Sequence, residues 1–104
     1  MSDEKKLKIE QSKTNDVLFC RLIGWLDPNT SPELLKQLDL KDVKTLIIDM
    51  KDVEYVFSAG LRAFMQIQRM IDSTGGTLKL INVADTIRSI FEYTGFESML
   101  EPKA

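Results

Sequence analysis

The sequence contains no histidine and a single cysteine, and these two shortages exclude several kinds of catalytic and metal site. Without histidine there can be no Ser-His-Asp triad, no Cys-His nucleophile and no histidine-ligated metal. One cysteine, Cys20, cannot form an internal disulfide or a thiolate zinc site. The carboxylates do not follow the spacing of an EF-hand loop. We therefore predict a protein that is not an enzyme and that has neither a metal nor another cofactor.

Other features that the sequence lacks concern location and partners. No apolar run reaches the roughly 20 residues that a membrane-spanning helix needs. The first residues, Met1–Lys6, have no apolar segment of the kind found in signal peptides. The net charge is −2 with both signs interspersed, whereas a nucleic-acid partner would require a basic face. We expect a cytoplasmic protein with no membrane span and no nucleic-acid partner.

The length and the hydrophobic pattern predict one α/β domain over residues 1–104, with a core of about residues 7–101. The order of elements is β-β-α-β-α-β-α, which favours a small mixed, mostly parallel sheet with helices packed on it. Whether the domain is a monomer or a weak dimer is left open. The predicted strands are Leu7–Gln11, Val17–Ile23, Leu46–Ile48 and Thr77–Ile81, with a further short strand at Met99–Glu101, and the predicted helices are Ser31–Leu38, Ser58–Ser73 and Ala84–Tyr93.

Several details of these elements are also predicted. The polar segment Ser12–Asp16 is expected to be a turn, and Gly24 to end the second strand or to form a bulge in it. The nearly continuous apolar run Val17–Ile23 suggests an inner strand covered on both faces. Two N-terminal caps suit the first helix: a capping box of Thr30 with Glu33, or Ser31 followed by Pro32.

Ser58 stands where an apolar strand turns into an amphipathic helix. A serine there can cap the helix, and the electropositive helix start can equally hold a phosphate on the hydroxyl, so both interpretations stay open. Gly60, in the first helical turn, indicates close approach to a neighbouring element. Because function in open α/β sheets collects at the carboxyl ends of strands, Asp27, Asp49 and Ser58 are predicted to lie together there.

Two other features have two interpretations each. Arg62 and Arg69 can form a solvated face of the second helix. Arg62 can alternatively be part of a binding surface. Trp25, which follows Gly24, is either a core residue or a contact aromatic at a binding surface.

These segments together resemble the STAS domain family (sulphate transporter and anti-sigma factor antagonist), over about residues 7–101. The family pattern is Gly-x-Leu-Asp followed by a Thr, then an apolar strand ending Asp-hydrophobic, then Asp-Ser-Ser/Thr-Gly-Leu opening a helix. A Gly-Gly turn, an Asn-Val pair and a Gly-hydrophobic pair come later. The matching segments are Gly24–Thr30, Ile48–Met50, Phe57–Leu61, Gly75–Gly76, Asn82–Val83 and Gly95–Phe96.

The resemblance implies a STAS fold and a protein-interaction role. In anti-sigma factor antagonists the serine at the position of Ser58 is phosphorylated by a partner that is both kinase and anti-sigma factor, and the unphosphorylated form binds that partner. Two positions depart from the pattern: Phe57 replaces the family's Asp, and Ala59 replaces its second Ser/Thr. The residues expected to contact the anti-sigma factor/serine kinase are Asp27, Thr30, Asp49, Phe57, Ser58, Ala59, Gly60 and Arg62.

Two alternative functions remain at this point. One is a constitutive STAS interaction subunit of a transporter-associated or scaffold complex, without regulated phosphorylation. The other is a small-ligand or nucleotide-binding module, although the sequence has no Walker A or Gly-x-Gly-x-x-Gly motif.

Overall fold

The computed structural model describes residues 6–96, 98 and 100, and these form an α/β fold. The strands are β1 (Leu7–Thr14), β2 (Val17–Leu26), β3 (Thr45–Val56) and β4 (Thr77–Ile81), and the helices are α1 (Ser31–Gln37), α2 (Ser58–Asp72) and α3 (Asp85–Thr94). The sheet has the order β1-β2-β3-β4. The β1–β2 pair is antiparallel, and the β2–β3 and β3–β4 pairs are parallel. The predicted mixed, mostly parallel sheet is therefore confirmed.

The last predicted strand lies only partly within the described residues. Leu100 forms an isolated parallel bridge with Leu80, while Met99 and Glu101 are outside the described part of the chain.

The hairpin of β1 and β2 is tighter than predicted. Only Asn15 and Asp16 form the turn, and Asn15 has a φ of 55°. The polar residues Ser12–Thr14, predicted as part of the turn, instead pair with β2. Because β1 is an edge strand, its polar side chains can face water without a desolvation cost, so polarity does not end the strand there.

Within the described part of the chain the helices cover one face of the sheet, so the prediction that both faces of β2 are buried is wrong. Leu18, Cys20 and Leu22 are buried, whereas the alternating residues Phe19 and Arg21 are exposed. All three helices build one layer: α2 packs on β3 and β4, α3 packs on β3, and α1 packs on α2. In a parallel strand that is buried on one face, buried and exposed residues alternate as they do in an antiparallel strand. The apolar run in β2 does not show this alternation, because apolar residues also occupy some of its exposed positions.

Gly24 forms a bulged region inside β2 and does not end the strand. It has a φ of +119°, and a Cβ atom there would overlap the backbone oxygen of Lys6. The β2–β3 register shifts on either side, between Arg21 and Ile23 and again between Gly24 and Trp25. The bulge therefore lets β2 continue to Leu26, beside the end of β3.

Candidate functional site

Ser58 is the first residue of α2, and its hydroxyl faces solvent. The N-cap residue is Phe57, in extended conformation (φ −87°, ψ 174°), and no side chain caps the helix. The backbone N–H groups of Gly60 and Leu61 donate to the oxygen of Phe57, at 2.8 and 3.1 Å. Within the described residues the Ser58 hydroxyl makes no hydrogen bond, so of the two interpretations of Ser58 the helix cap is wrong. The hydroxyl is thus accessible for modification.

The start of α2 is electropositive. Its first turn carries no acidic side chain that would offset the helix dipole. The first N–H groups of a helix have no acceptor within it, and here those of Ser58 and Ala59 precede the two that Phe57 satisfies. A negative group on Ser58 would be stabilised there by about 0.3–1 kcal/mol.

Gly60 brings α2 against the ends of β2 and β3. A Cβ atom at this buried position would lie 2.8 Å from Leu26 Cβ and 2.9 Å from Val56 Cγ1. This confirms the close approach that the sequence indicates. Gly60 is buried, so its role in the fold is to position Ser58 at the start of α2.

The loop between β2 and α1 is fixed by its own side chains. Thr30 is buried, and its hydroxyl donates to the Trp25 oxygen (2.7 Å) and accepts from the Asp27 N–H (2.9 Å). Asp27 Oδ1 accepts from the N–H groups of Asn29 (2.8 Å) and Thr30 (2.9 Å). Asp27 and Thr30 therefore hold the loop in shape, and Pro28 and Asn29 are its exposed part.

Neither predicted cap of α1 is formed by a side chain. Thr30 is the N-cap residue, but its hydroxyl is directed into the loop just described. Ser31, the first helical residue, is 3% exposed, and its hydroxyl has no hydrogen-bond partner within the described part of the chain. Both predicted capping bonds are therefore wrong. The Thr30 hydroxyl forms hydrogen bonds within the loop, and the Ser31 hydroxyl is buried without a partner among the described residues.

Three aromatic side chains form a partly exposed group beside Ser58, here called the aromatic cluster: Trp25, Tyr55 and Phe57. Phe57 stacks on Trp25 (ring centroids 5.6 Å apart, 27° between planes) and meets Tyr55 edge-on at 4.7 Å. Tyr55 is 43% exposed and Phe57 is 37% exposed. Trp25 is half-buried, and its Nε1 donates to Glu54 Oε1 at 2.7 Å. Trp25 is therefore a surface aromatic, and Phe57 is its stacking partner.

Sequence reasoning did not identify Tyr55. The available signal was its spacing of two from Phe57, which places both side chains on one face of an extended chain. The pairing of Trp25 with Tyr55 in the β2–β3 register completes the cluster.

Asp49 does not lie beside Ser58. The strand β3 continues for seven residues after Asp49, to Val56, which corresponds to roughly 23 Å of extended chain. Asp49 Oδ1 accepts instead from Asn82 Nδ2 (3.1 Å) and from the Lys51 N–H (2.9 Å). The predicted placement of Asp49 at the carboxyl end of β3 is wrong because the polar residues after it stay in the strand.

A groove of about 240 Å³ runs between α1 and α2, close to Ser58. Arg62 and Ala59 line it on the α2 side, and Ser31 and Leu35 line it on the α1 side. Arg62 is exposed and forms no ion pair with any described residue. Arg62 is therefore a cation at the edge of a groove as well as part of an exposed face.

Comparison with known proteins decides the family. The model of the STAS domain family matches residues 8–103. The chain belongs to the STAS domain family. This STAS domain is 26% identical over 100 residues to the anti-sigma-B factor antagonist of Bacillus subtilis (strain 168), covering 94% of the chain and 92% of the relative. It is 30% identical over 96 residues to the anti-sigma-B factor antagonist of Listeria monocytogenes, covering 89% and 84%.

The fold agrees with a solved structure. The anti-sigma factor antagonist SpoIIAA in its unphosphorylated form superposes on this STAS domain with a TM-score of 0.78, at 18% identity, covering 93% of this chain and 89% of that one. No described helix of the domain is long and apolar enough to cross a membrane. Among the described residues, no group of three or more acidic or cysteine side chains is arranged to hold a metal ion.

Proposed function

We propose that this STAS domain is an anti-sigma factor antagonist, a non-enzymatic cytoplasmic protein that binds an anti-sigma factor with serine kinase activity and is switched off by phosphorylation of Ser58. The observation that carries this is the exposed, unbonded Ser58 hydroxyl at the start of α2, at the family's phosphate-acceptor position. The names of the relatives support the type of partner. The electropositive helix start supports a phosphate at this hydroxyl.

The proposed docking surface surrounds Ser58. It comprises the loop Asp27–Thr30, the aromatic cluster, Ala59 and the exposed side chain of Arg62. Trp, Tyr and Arg are the residue types that most often supply binding energy in protein interfaces. The aromatic cluster gives this surface an apolar centre. Where the family pattern has an aspartate, Phe57 offers apolar surface that a partner can cover.

Phosphorylation would place a charge at the centre of this surface. In the proposed reaction the Ser58 Oγ attacks the γ-phosphorus of ATP, the bond between that phosphorus and the β,γ-bridging oxygen breaks, ADP departs, and the hydroxyl proton passes to water. The phosphoserine carries about −1.5 to −2 charges at pH 7. Covering a charge without a counter-charge costs several kcal/mol, and a loss of about 2.8 kcal/mol already weakens binding 10²-fold. Because the helix start favours the phosphate, the domain itself stays folded.

The test compares binding of the cognate anti-sigma factor to the wild type, Ser58→Ala and Ser58→Asp by calorimetry, after checking phosphorylation with ATP by mass spectrometry. We expect phosphate on Ser58, retained binding for Ser58→Ala and a loss of 10²-fold or more for Ser58→Asp. Ser89→Asp is the matched control, because Ser89 is an exposed helical serine on α3, outside the docking surface.

The opposite result has a defined meaning. If no phosphate appears on Ser58 and Ser58→Asp binds as well as the wild type, the switch is refuted. A constitutive STAS interaction subunit, whose apolar aromatic cluster makes a permanent contact, would then be the better description.

A further inference from the structure

Arg62 lies one helical turn after Ser58. Residues four apart on a helix are neighbours on its surface, so a group attached to the Ser58 hydroxyl is within reach of the Arg62 guanidinium. Both side chains are exposed, and neither is engaged by another described side chain. Two carboxylates of the proposed docking surface and its border already have partners: Asp27 accepts from its own loop, and Glu54 accepts from Trp25. The i, i+4 spacing therefore makes Arg62 a cation that can pair with a phosphate on Ser58.

The same arginine lines the groove between α1 and α2. Among the described residues, no carboxylate contributes to the lining of this groove, so Arg62 has no acidic partner there. Ser31 also lines the groove, and its buried hydroxyl has no hydrogen-bond partner among the described residues. A buried hydroxyl without a partner costs free energy that a ligand can recover by accepting its proton. A guanidinium and a hydroxyl at one groove together suit a carboxylate.

We propose that Arg62 links these two sites, acting as an anchor for an acidic side chain of the partner when Ser58 is free and as the counter-ion of the phosphate when Ser58 is modified. The acidic side chain enters the groove and takes donors from Arg62 and Ser31. Phosphate on Ser58 draws the guanidinium toward the helix start, and the groove then lacks its cation. This proposal rests on the proposed function, since it specifies how phosphorylation of that surface prevents docking.

The first experiment needs no partner. Phosphoserine is placed at position 58 by genetic encoding, and the phosphate is titrated by ³¹P NMR in three backgrounds: the wild type, Arg62→Gln and Arg69→Gln. Pairing with Arg62 favours the dianion, so the phosphate pKa should be lower in the wild type than in Arg62→Gln, by about 0.15–0.4 pH unit. Arg69→Gln should titrate like the wild type, because Arg69 is exposed on the same helix but lies roughly 16 Å from Ser58 along the helix axis.

The second experiment is a thermodynamic cycle with the cognate anti-sigma factor. Without phosphate, Arg62→Gln should weaken binding about tenfold, Arg62→Lys should restore part of the affinity, and Arg69→Gln should have no effect. If phosphate acts by withdrawing Arg62, it should cost less affinity in the Arg62→Gln background than in the wild type, roughly 10-fold against 10²-fold. Thermal melts of each variant check that the domain remains folded.

Three results would overturn the proposal: equal phosphate pKa values in the wild type and Arg62→Gln, unchanged binding of unphosphorylated Arg62→Gln, or an equal cost of phosphate in both backgrounds. If instead the wild type binds no anti-sigma factor, the proposed function is refuted, and the ³¹P titration still decides whether Arg62 pairs with the phosphate.

Discussion

Replacing Phe57 by aspartate, the residue that the family has at this position, changes stability in two opposite ways. It removes the packing of an aromatic ring, and it adds a carboxylate that can cap α2. Phe57 is 37% exposed, so nearly two thirds of its side chain is covered. Full burial of a phenylalanine contributes about 1.5–3 kcal/mol, which gives about 1–2 kcal/mol here. The ring contacts with Trp25 and Tyr55 add about 1–2 kcal/mol together. Phe57→Ala should therefore lose about 2–4 kcal/mol of unfolding free energy.

The aspartate recovers part of this loss. Phe57 has the extended backbone of an N-cap residue, but it offers no side-chain acceptor to the helix. A carboxylate there can accept the free N–H groups of the first turn, which contributes about 1 kcal/mol, and the helix dipole adds about 0.3–1 kcal/mol. We expect Phe57→Asp to be about 1–2 kcal/mol less stable than the wild type, yet about 1–2 kcal/mol more stable than Phe57→Ala.

Urea unfolding of the three proteins at pH 7 and at pH 3 measures both differences. The helix start lowers the pKa of the introduced carboxyl below its unfolded value of about 3.9. Its stabilisation is therefore present above about pH 4 and is lost as the pH falls through the lowered pKa, so the two variants should converge at low pH. The reasoning is refuted if Phe57→Asp equals or exceeds the wild type, or if it matches Phe57→Ala at pH 7.

The element order could be predicted because it depends on local patterns. The strand-to-helix junction at Ser58 and the helix ends follow from apolar spacing and from turn residues, and the three helices begin and end within about one residue of the prediction. Strand lengths were less predictable. Polar residues such as Ser12 and Lys51 belong to strands because neighbouring strands pair with them or extend beside them, and pairing is a non-local property.

The covered face of the sheet also depends on distant contacts. The run Val17–Ile23 has apolar residues on both faces, yet the helices pack on only one of them. Nothing within seven residues specifies how many helices will cover a strand. Phe19 and Arg21 therefore lie on an open face that the run alone does not reveal.

The candidate site divides in the same way. Ser58 and the loop from Asp27 to Thr30 were found from sequence, because their motif spacing places them at the ends of neighbouring strands. The aromatic cluster depends on the β2–β3 register after two shifts, which no local pattern contains. The predicted position of Asp49 is wrong because the predicted β3 ends too early, whereas the strand continues to Val56.

Three further predictions concern buried positions. Burial raises the pKa of the Cys20 thiol to about 12, so a thiol reagent at pH 8 should leave the folded domain unmodified and label Cys20 only when urea unfolds it. Ser31→Ala should raise the unfolding free energy by up to about 1 kcal/mol in urea titrations, because it removes a buried hydroxyl without a described partner; a loss of stability would contradict this. Gly60→Ala sets a gain in helix propensity of about 1 kcal/mol against the overlap of a new methyl group with Leu26 and Val56, at 2.8 and 2.9 Å. Both neighbours are buried side chains at strand ends and have little room to move, and overpacking of this kind costs about 1–3 kcal/mol. The overlap should therefore outweigh the propensity gain and push the start of α2 away from the sheet, which lowers the melting temperature and weakens partner binding at Ser58 together. A Gly60→Ala variant that melts at or above the wild-type temperature would show that α2 does not need this close approach.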